Sequence, residues 1–377
     1  MTLTILPVQT DADKRAFYRF AFRVYRDDPN WVPHLWPQRK EYLDKKAAFF
    51  TYGEGDFWLA KEGDEIVGTL GTGVDHSRND SMHWKSGIFG FFEVLPERYD
   101  VAKSMWDFAC EYARKRGMTE LRGPYSFAVN EENGFLVQGF ETMPSILMGH
   151  QPRYYHEFAE RYGFEKSSDA LAYRYDLATI NFDVKNAPEV IHKIAQRSRE
   201  RHAAAIRIPK MKDWDIEVEK LHAVYNKSLA VLRDYSPMEL SEFRAQAAGL
   251  KEIIDPELVF IAEVDGKTVG FGMGLPNITE ALIHANGLQK PWDYIRFTLA
   301  RRKIRSASFK ILAIDPDYWG YGLEVVMFLE MGKALIRKGY TWVDASLTGE
   351  DNPQTNKLAP RLGATVYRRY REYRKNL

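Results

Sequence analysis

Cysteine is almost missing from this 377-residue chain, which has one, Cys110. A lone thiol excludes an intrachain disulfide and any metal site built on several cysteines, and it points to a reducing compartment. Cys110 falls beside Phe108, Ala109 and Tyr112 in a helical pattern, where a buried small hydrophobe is the expected role. Net charge is missing too. Lys and Arg number 53 against 52 Asp and Glu, a formal +1, so the chain as a whole exerts no pull on nucleic acid or an anionic membrane. No apolar run approaches the ~18 residues of a membrane span. Residues 1–15 lack the basic region and apolar stretch of a signal peptide. The expectation is a cytoplasmic protein with neither nucleic-acid nor membrane partner. No group of residues has metal-ligand spacing, and no Ser–His–Asp arrangement can be read.

What the sequence has is length, aromatics and an internal echo. A chain of 377 residues exceeds what one core usually organises, and aromatics reach 14%. Residues 57–68 alternate apolar and polar around a tight turn, a β-hairpin pattern, and residues 260–270 do so again. Ala60 to Gly68 and Ala262 to Gly270 share one spacing and both end in Val-Gly. A second echo pairs Ala159-Glu-Arg-Tyr-Gly163 with Ala359-Pro-Arg-Leu-Gly363, each a helix end closed on glycine. Between these landmarks each half holds one strong helix: Val101, Met105, Phe108, Ala109, Tyr112 and Ala113 in the first, Val325, Val326, Leu329, Ala334 and Ile336 in the second. Strand-like sequence follows each. Helices covering a mixed sheet, an α/β (α+β) architecture built twice, are what this order predicts. A repeat near 200 residues is domain duplication, since solenoid repeats are far shorter. The expected division is 1–178, a joining helix within 179–203, and 204–377.

The most informative stretch is residues 309–323, where an apolar strand ends in Asp315-Pro316 and passes through Gly320-Tyr321-Gly322 into a hydrophobic helix. Glycines let the backbone approach a ligand closely, and the helix that follows turns its amides and positive dipole end toward it, a ready phosphate site. Alone, Gly-x-Gly is common in ordinary turns. Asp351-Asn352-Pro353 and the segment up to Gly363 and Ala364 then follow the next strand, and Val366 to Tyr373 alternate as a closing strand, in the manner of an edge strand with one wet face.

Together these residues resemble the conserved half of the GNAT superfamily, enzymes that move acyl groups from acyl-CoA, mostly to amines. The family loop Gln/Arg-x-x-Gly-x-Gly/Ala is matched by Asp317-Tyr318-Trp319-Gly320-Tyr321-Gly322, and the family asparagine by Asn352, eleven before Gly363. The likeness covers most of 258–377 and, more loosely, 1–177. It implies a tandem two-domain member whose second domain holds acetyl-CoA or another acyl-CoA through Ile314, Tyr318, Trp319, Gly320, Tyr321, Gly322 and Leu323, with Asn352 near the pantetheine. Two positions depart from the family. Asp317 stands where Gln or Arg is usual, and Ala359 stands where many members carry a tyrosine general acid. The first half has Glu97-Arg98-Tyr99-Asp100 in place of the loop, with no glycine, and so reads as a degenerate partner domain.

The implied reaction is N-acyl transfer, with acetyl expected, onto a small-molecule amine by direct attack. A long-chain or aminoacyl transferase and a non-catalytic acyl-CoA-binding protein are the alternatives. Amine acylation needs a base, because an alkyl ammonium titrates near ~10. Glu93, the one acid in an apolar run, and Asp344, inside Trp342-Val343-Asp344, are the candidates; the alternative for Glu93 is a solvated strand-end charge, and for Asp344 a paired one. The polar loop after residue 122 and its continuation offer Asn130, Asn133, Tyr154 and Tyr155 as acceptor-pocket lining. Arg296, Arg301, Arg302, Lys303 and Arg305 form a basic run, read as a solvated face or a grip for phosphates. The oligomeric state is not legible.

Overall fold

The computed structural model describes residues 2–127, 132–178, 189–231, 237–251, 254–361 and 363–377. The chain opens with β1 (Leu3–Pro7), α1 (Asp11–Val24), α2 (Trp36–Leu43), the hairpin β2 (Gly53–Glu62) and β3 (Glu65–Asp75), α3 (His76–Met82) and β4 (Ser86–Val94). There follow α4 (Tyr99–Arg114), β5 (Glu120–Gly123), β6 (Phe135–Gln138), α5 (Tyr154–Tyr162) and β7 (Glu165–Asp176). Helix α6 (Glu189–His202) leads to β8 (Ala205–Arg207), α7 (Trp214–Leu229), α8 (Leu240–Leu250), β9 (Val259–Val264) and β10 (Lys267–Pro276). The remainder is α9 (Thr279–Leu282), α10 (Pro291–Ala300), β11 (Ser306–Ile314), α11 (Leu323–Arg337), β12 (Trp342–Gly349), α12 (Pro353–Arg361) and β13 (Thr365–Asn376).

Local chemistry explains the main elements. Val101, Ala102, Met105, Trp106, Ala109 and Ala113 form one fully buried stripe of α4, each 0% exposed, and Cys110 is buried with them, its thiol pushed up by that burial. The β9–β10 turn places Asp265 and Gly266 at φ 49° and 77°, the left-handed pair whose twist suits a two-residue hairpin. Helix α5 closes on Gly163 in the left-handed conformation, the cap its sequence predicts. Tight helix starts are made by side chains, as where Thr10 and Asp13 form a capping box on α1.

The strands form one continuous sheet in the order β1-β2-β3-β4-β5-β13-β7-β12-β11-β10-β9-β8, with β6 also on β13. The two halves of this order mirror each other, but the last strand of each is exchanged. β13 pairs with β5 of the first half, β7 pairs with β12 of the second, and β7 and β13 pair with one another. The C-terminal alternation of aromatics and cations therefore does not make an edge strand with one wet face. β13 lies in the middle of the sheet, with Arg368 and Tyr373 0% exposed and Tyr370 2% exposed. Its polar members are neutralised rather than hydrated: Arg369 and Arg371 reach the buried carboxylate of Asp169.

Tyr373 belongs to the second half by sequence and to the core around Trp106, Phe135 and Phe164 by packing. Tyr373→Ala is expected to cost about 3–5 kcal/mol, as large aromatic truncations in cores do, read by urea unfolding with fluorescence and circular dichroism together. Loss of less than about 1 kcal/mol would mean that the exchanged strand is dispensable to the first half.

Candidate functional site

Each half of the sheet has one place where two parallel strands part. β11 and β12 are paired only at Ser306–Trp342, Ala307–Val343 and Ser308–Asp344. Beyond that, β12 turns to β7, and residues 309–314 of β11 have no strand on that side. Irregular register drives the parting, with shifts at Met273/Gly274 in the β10–β11 ladder and at Asp344/Leu347 in the β12–β7 ladder. The gap runs from Asp344 to the turn at 315–322.

That turn is held from below by Asp315, which accepts the Asp317 amide at 3.2 Å and Lys227 Nζ at 3.0 Å. The Asp317 side chain is exposed, so its charge turns toward water. Gly320 and Gly322 are left-handed, at φ 83° and 74°, and a Cβ on Gly320 would meet nothing within 4 Å. No side chain caps α11, so the amides of its first turn are left for water or a ligand, at the positive end of the helix dipole.

Ile314, Trp319 and the run from Gly320 to Leu323 come together here. The chain also supplies partners of its own. The Ile314 amide donates to Ser228 Oγ at 3.1 Å, and Trp319 Nε1 donates to the Ile314 carbonyl at 3.2 Å. Tyr318 packs edge-on to Tyr321 at 5.5 Å, and Tyr321 stacks on His202 at 3.9 Å. A Cβ on Gly322 would lie 2.7 Å from Ile194 of α6. Helix α6 thus covers one side of the turn and leaves the Gly320 side open. Asn352 is engaged elsewhere: its Oδ1 accepts the Thr355 amide at 3.1 Å, capping α12.

At the vertex of the gap lies a buried ionic cluster. Asp344, 0% exposed, accepts from Ser308 Oγ, from Tyr367 Oη at 3.1 Å and faces Lys310 Nζ at 3.6 Å. Lys310 Nζ also donates to the Ile146 carbonyl at 2.7 Å, on a loop from the first half. Burial pulls the Lys310 ammonium below its ordinary value. Sequence reasoning overlooked Lys310, although the signal that singles out Glu93, an ionisable group inside an apolar strand, marks it equally.

The corresponding corner of the first half is filled. β4 and β5 pair only over Ser86–Glu120, Gly87–Leu121 and Ile88–Arg122, but the chain after β5 closes back on β4. The Tyr125 amide donates to the Phe89 carbonyl at 2.8 Å, so near that a Cβ on Gly90 would sit 1.7 Å from Tyr125 O. Only glycine fits there. Tyr155 Oη meets the Val94 amide at 2.9 Å and Glu93 at 2.7 Å, while Tyr154 Oη donates to the Val94 carbonyl at 2.7 Å. Each of the two helices carries one acid in its first turn, Asp100 on α4 and Glu324 on α11, and neither start has a side-chain cap.

Glu93 and Asp344 therefore sit in different halves. Glu93 borders a cavity of about 60 Å³ with Glu132, His34, Arg39 and Tyr25 among its walls. Burial pushes its carboxyl up to about 7, despite hydrogen bonds from Tyr155 and Tyr25 that oppose the shift. His34 pairs with Glu132 at 3.1 Å, and Arg39 lies 4.4 Å over the Phe91 ring. Asn133 is half-buried next to Glu132 in the chain, and Asn130 lies outside the described residues. Among the described residues there is no cluster that could hold a metal, and no helix is long and apolar enough to cross a membrane.

No family model matches the sequence. The chain is 29% identical over 384 residues to a protein named bacterial ceramide synthase from Caulobacter vibrioides, covering 100% of this chain and 98% of that one. It is 27% identical over 371 residues to Protein YghO of Escherichia coli, covering 97% and 93%. Among solved structures, a tandem GNAT protein from the clavulanic acid biosynthesis pathway superposes over 100% of this chain and 98% of its own, with a TM-score of 0.58 at 14% identity. That likeness is one of fold.

The raised Glu93 carboxyl has a stability consequence. The unfolded chain ionises it near 4.5 and the folded chain near 7, so the folded state holds the proton more tightly. Its stabilising contribution is full below pH 4.5 and is lost as pH rises through 7. Glu93→Gln, which keeps an acceptor for Tyr155, should be more stable than the parent at pH 8 by on the order of 1–3 kcal/mol. The two should converge toward pH 5 in urea unfolding. A parent that gains stability relative to the variant as pH rises would contradict this.

Proposed function

We propose that this chain, whose sheet carries two GNAT acyltransferase folds in tandem, is an acyl-CoA-dependent N-acyltransferase that joins a long acyl chain to the amine of a lipid-like amino alcohol. One contrast carries the reading. The second half keeps an open strand edge leading to its helix start, and the first half fills the same corner with Tyr125, Tyr154 and Tyr155. An anion site left bare in one copy and plugged in the other supports a diphosphate ligand in the bare one.

The loop reads parts common to every acyl-CoA, so it does not choose between acetyl and longer donors. The preference for a long chain rests on the full-length relative named as a ceramide synthase. A ceramide is a fatty amide of a long-chain amino alcohol, and its amide bond is of the kind that N-acyl transfer makes. That favours the longer donor over the acetyl group that the motif alone suggests.

The chain's own residues have four tasks in this scheme. The amides of Gly320 and of Gly322 to Glu324 hold the diphosphate, the Tyr321 amide being bonded to the Tyr318 carbonyl. The free edge of β11 bonds the pantetheine, which displaces the Trp319 indole from the Ile314 carbonyl. The acceptor amine arrives protonated near ~10 and must lose that proton. Lys310 Nζ, whose ammonium is disfavoured by burial, is placed to take it when deprotonated, with Asp344 3.6 Å away to pair with the ammonium so formed. The neutral amine attacks the thioester carbonyl, the C–N bond forms as the C–S bond breaks, and the proton still on nitrogen passes to the departing thiolate, giving amide and free coenzyme A without the tyrosine missing at Ala359. Glu93, in the other half, is left out of the transfer step.

Incubation with palmitoyl-CoA and a sphingoid amine should release free thiol and yield the amide by mass spectrometry, with acetyl-CoA slower. Tight acyl-CoA binding without turnover on any amine would reduce the protein to a carrier. Substitution of Gly322 is a poor probe, because its added Cβ strikes Ile194. Asp317→Arg is cleaner, being exposed. It replaces a repelling charge with an attracting one and should tighten CoA by about 3–10-fold at low salt, by calorimetry. Unchanged affinity would remove the diphosphate from this turn. Lys310→Met should lower kcat by about 10²–10⁴ with the acyl-CoA Kd preserved. The pH–rate profile of the parent should rise through a value below 10.5, the ordinary lysine value.

A further inference from the structure

Helix α10 is apolar on two sides. Its inner side sends Phe297 against the core of Leu275, Ile278 and Leu282, next to Ile304. Its outer side carries Trp292, Ile295 and Leu299, spaced three and four apart and so on one face. They are 51%, 63% and 59% exposed, with Tyr294 beside them at 48%. A helix on a water-facing surface normally turns polar residues outward, and a contiguous apolar stripe of this kind expects a second apolar neighbour. Trp36 and Pro37 of α2, with Leu288 and Tyr294, line a shallow groove that extends the same surface.

Cations surround the stripe. Residues 290–305 contain Lys290, Arg296, Arg301, Arg302, Lys303 and Arg305, all exposed, and one acid, Asp293. That acid is 0% exposed, accepts the Lys290 amide at the helix start and lies 3.8 Å from Arg296. Lys290 Nζ lies 5.0 Å over the Trp292 ring, a cation–π contact. The chain's formal charge of +1 conceals this local excess.

We infer that α10 is an interfacial anchor that lays this face of the protein on an anionic lipid surface. Apolar side chains with cations at their border match the boundary between acyl chains and negative headgroups. A second copy fits less well, because a two-fold contact would set the cations of one α10 against those of the other. The anchor stands on this surface alone and goes beyond the proposed reaction. The whole-chain charge balance argued against a membrane partner, but attraction to a bilayer is decided by charge within a Debye length of it.

The test is co-sedimentation of the full chain with vesicles of phosphatidylcholine containing about one-third phosphatidylglycerol, against phosphatidylcholine alone. Binding should require the anionic lipid and weaken as salt rises. The pair Ile295→Ser with Leu299→Ser, and separately Arg301→Glu with Arg302→Glu, should each lower partitioning by about tenfold or more. The thermal midpoints of both variants, and the serine pair's turnover of a water-soluble short-chain acyl-CoA and amine, should stay unchanged. Variants that partition like the parent, or binding indifferent to lipid charge, would overturn the anchor. So would a dimeric parent that the serine pair converts to monomer. An inactive parent that still binds vesicles would sink the transferase reading and leave the anchor standing.

Discussion

The exchange of β7 and β13 at the centre of the sheet is the constraint that the rest depends on. It forces a strand rich in arginine into the interior, and Arg368, 0% exposed, has to be satisfied there. Its guanidinium donates to Tyr370 Oη at 2.7 Å, to the Gly149 carbonyl at 3.1 Å, to His150 Nδ1 at 3.0 Å and to the Thr142 carbonyl. His150 in turn meets Asp28 at 2.8 Å. One buried cation thus fastens the loop from 139 to 151, and that loop supplies the Ile146 carbonyl that holds Lys310. Removing the cation would loosen the gap in the second half through residues of the first.

Duplication with divergence follows from the same arrangement. Two copies of one fold inherit two helix starts with a positive end, and each must be met by something. In the first copy tyrosines take the hydrogen bonds of the Val94 backbone. In the second the left-handed glycines keep the corner thin and leave it to water or a ligand. The filled first site leaves Glu93 beside a small cavity, where burial makes its ionisation weigh on folding.

Charge tells a similar story of local against global. Net neutrality describes neither the buried Lys310–Asp344 pair nor the cation-rimmed stripe on α10. A desolvated pair couples strongly at short range, whereas the surface cations act within a Debye length. Both are invisible in a total.

Much of the architecture was legible because periodicity is a local property. The apolar stripe of α4, the two Val-Gly hairpins, the glycine-closed helix ends and the Gly320–Gly322 turn are fixed by neighbours in sequence, through sterics and alternation. The exchange was not legible, since β13 alternates as an outer strand does, and only pairing with β5 and β7 shows that both its faces are covered. Nor could the sequence separate Glu93 from Asp344. Both are lone acids in apolar strands, and which half keeps an open corner is decided by contacts far apart along the chain: Tyr125 on Phe89, Tyr155 on Val94, Lys310 on Ile146. Sequence determined the repeat and the loop. Tertiary structure alone decided which copy is filled, which acid has a lysine beside it and which apolar face is left uncovered, because each depends on what the fold carries into contact.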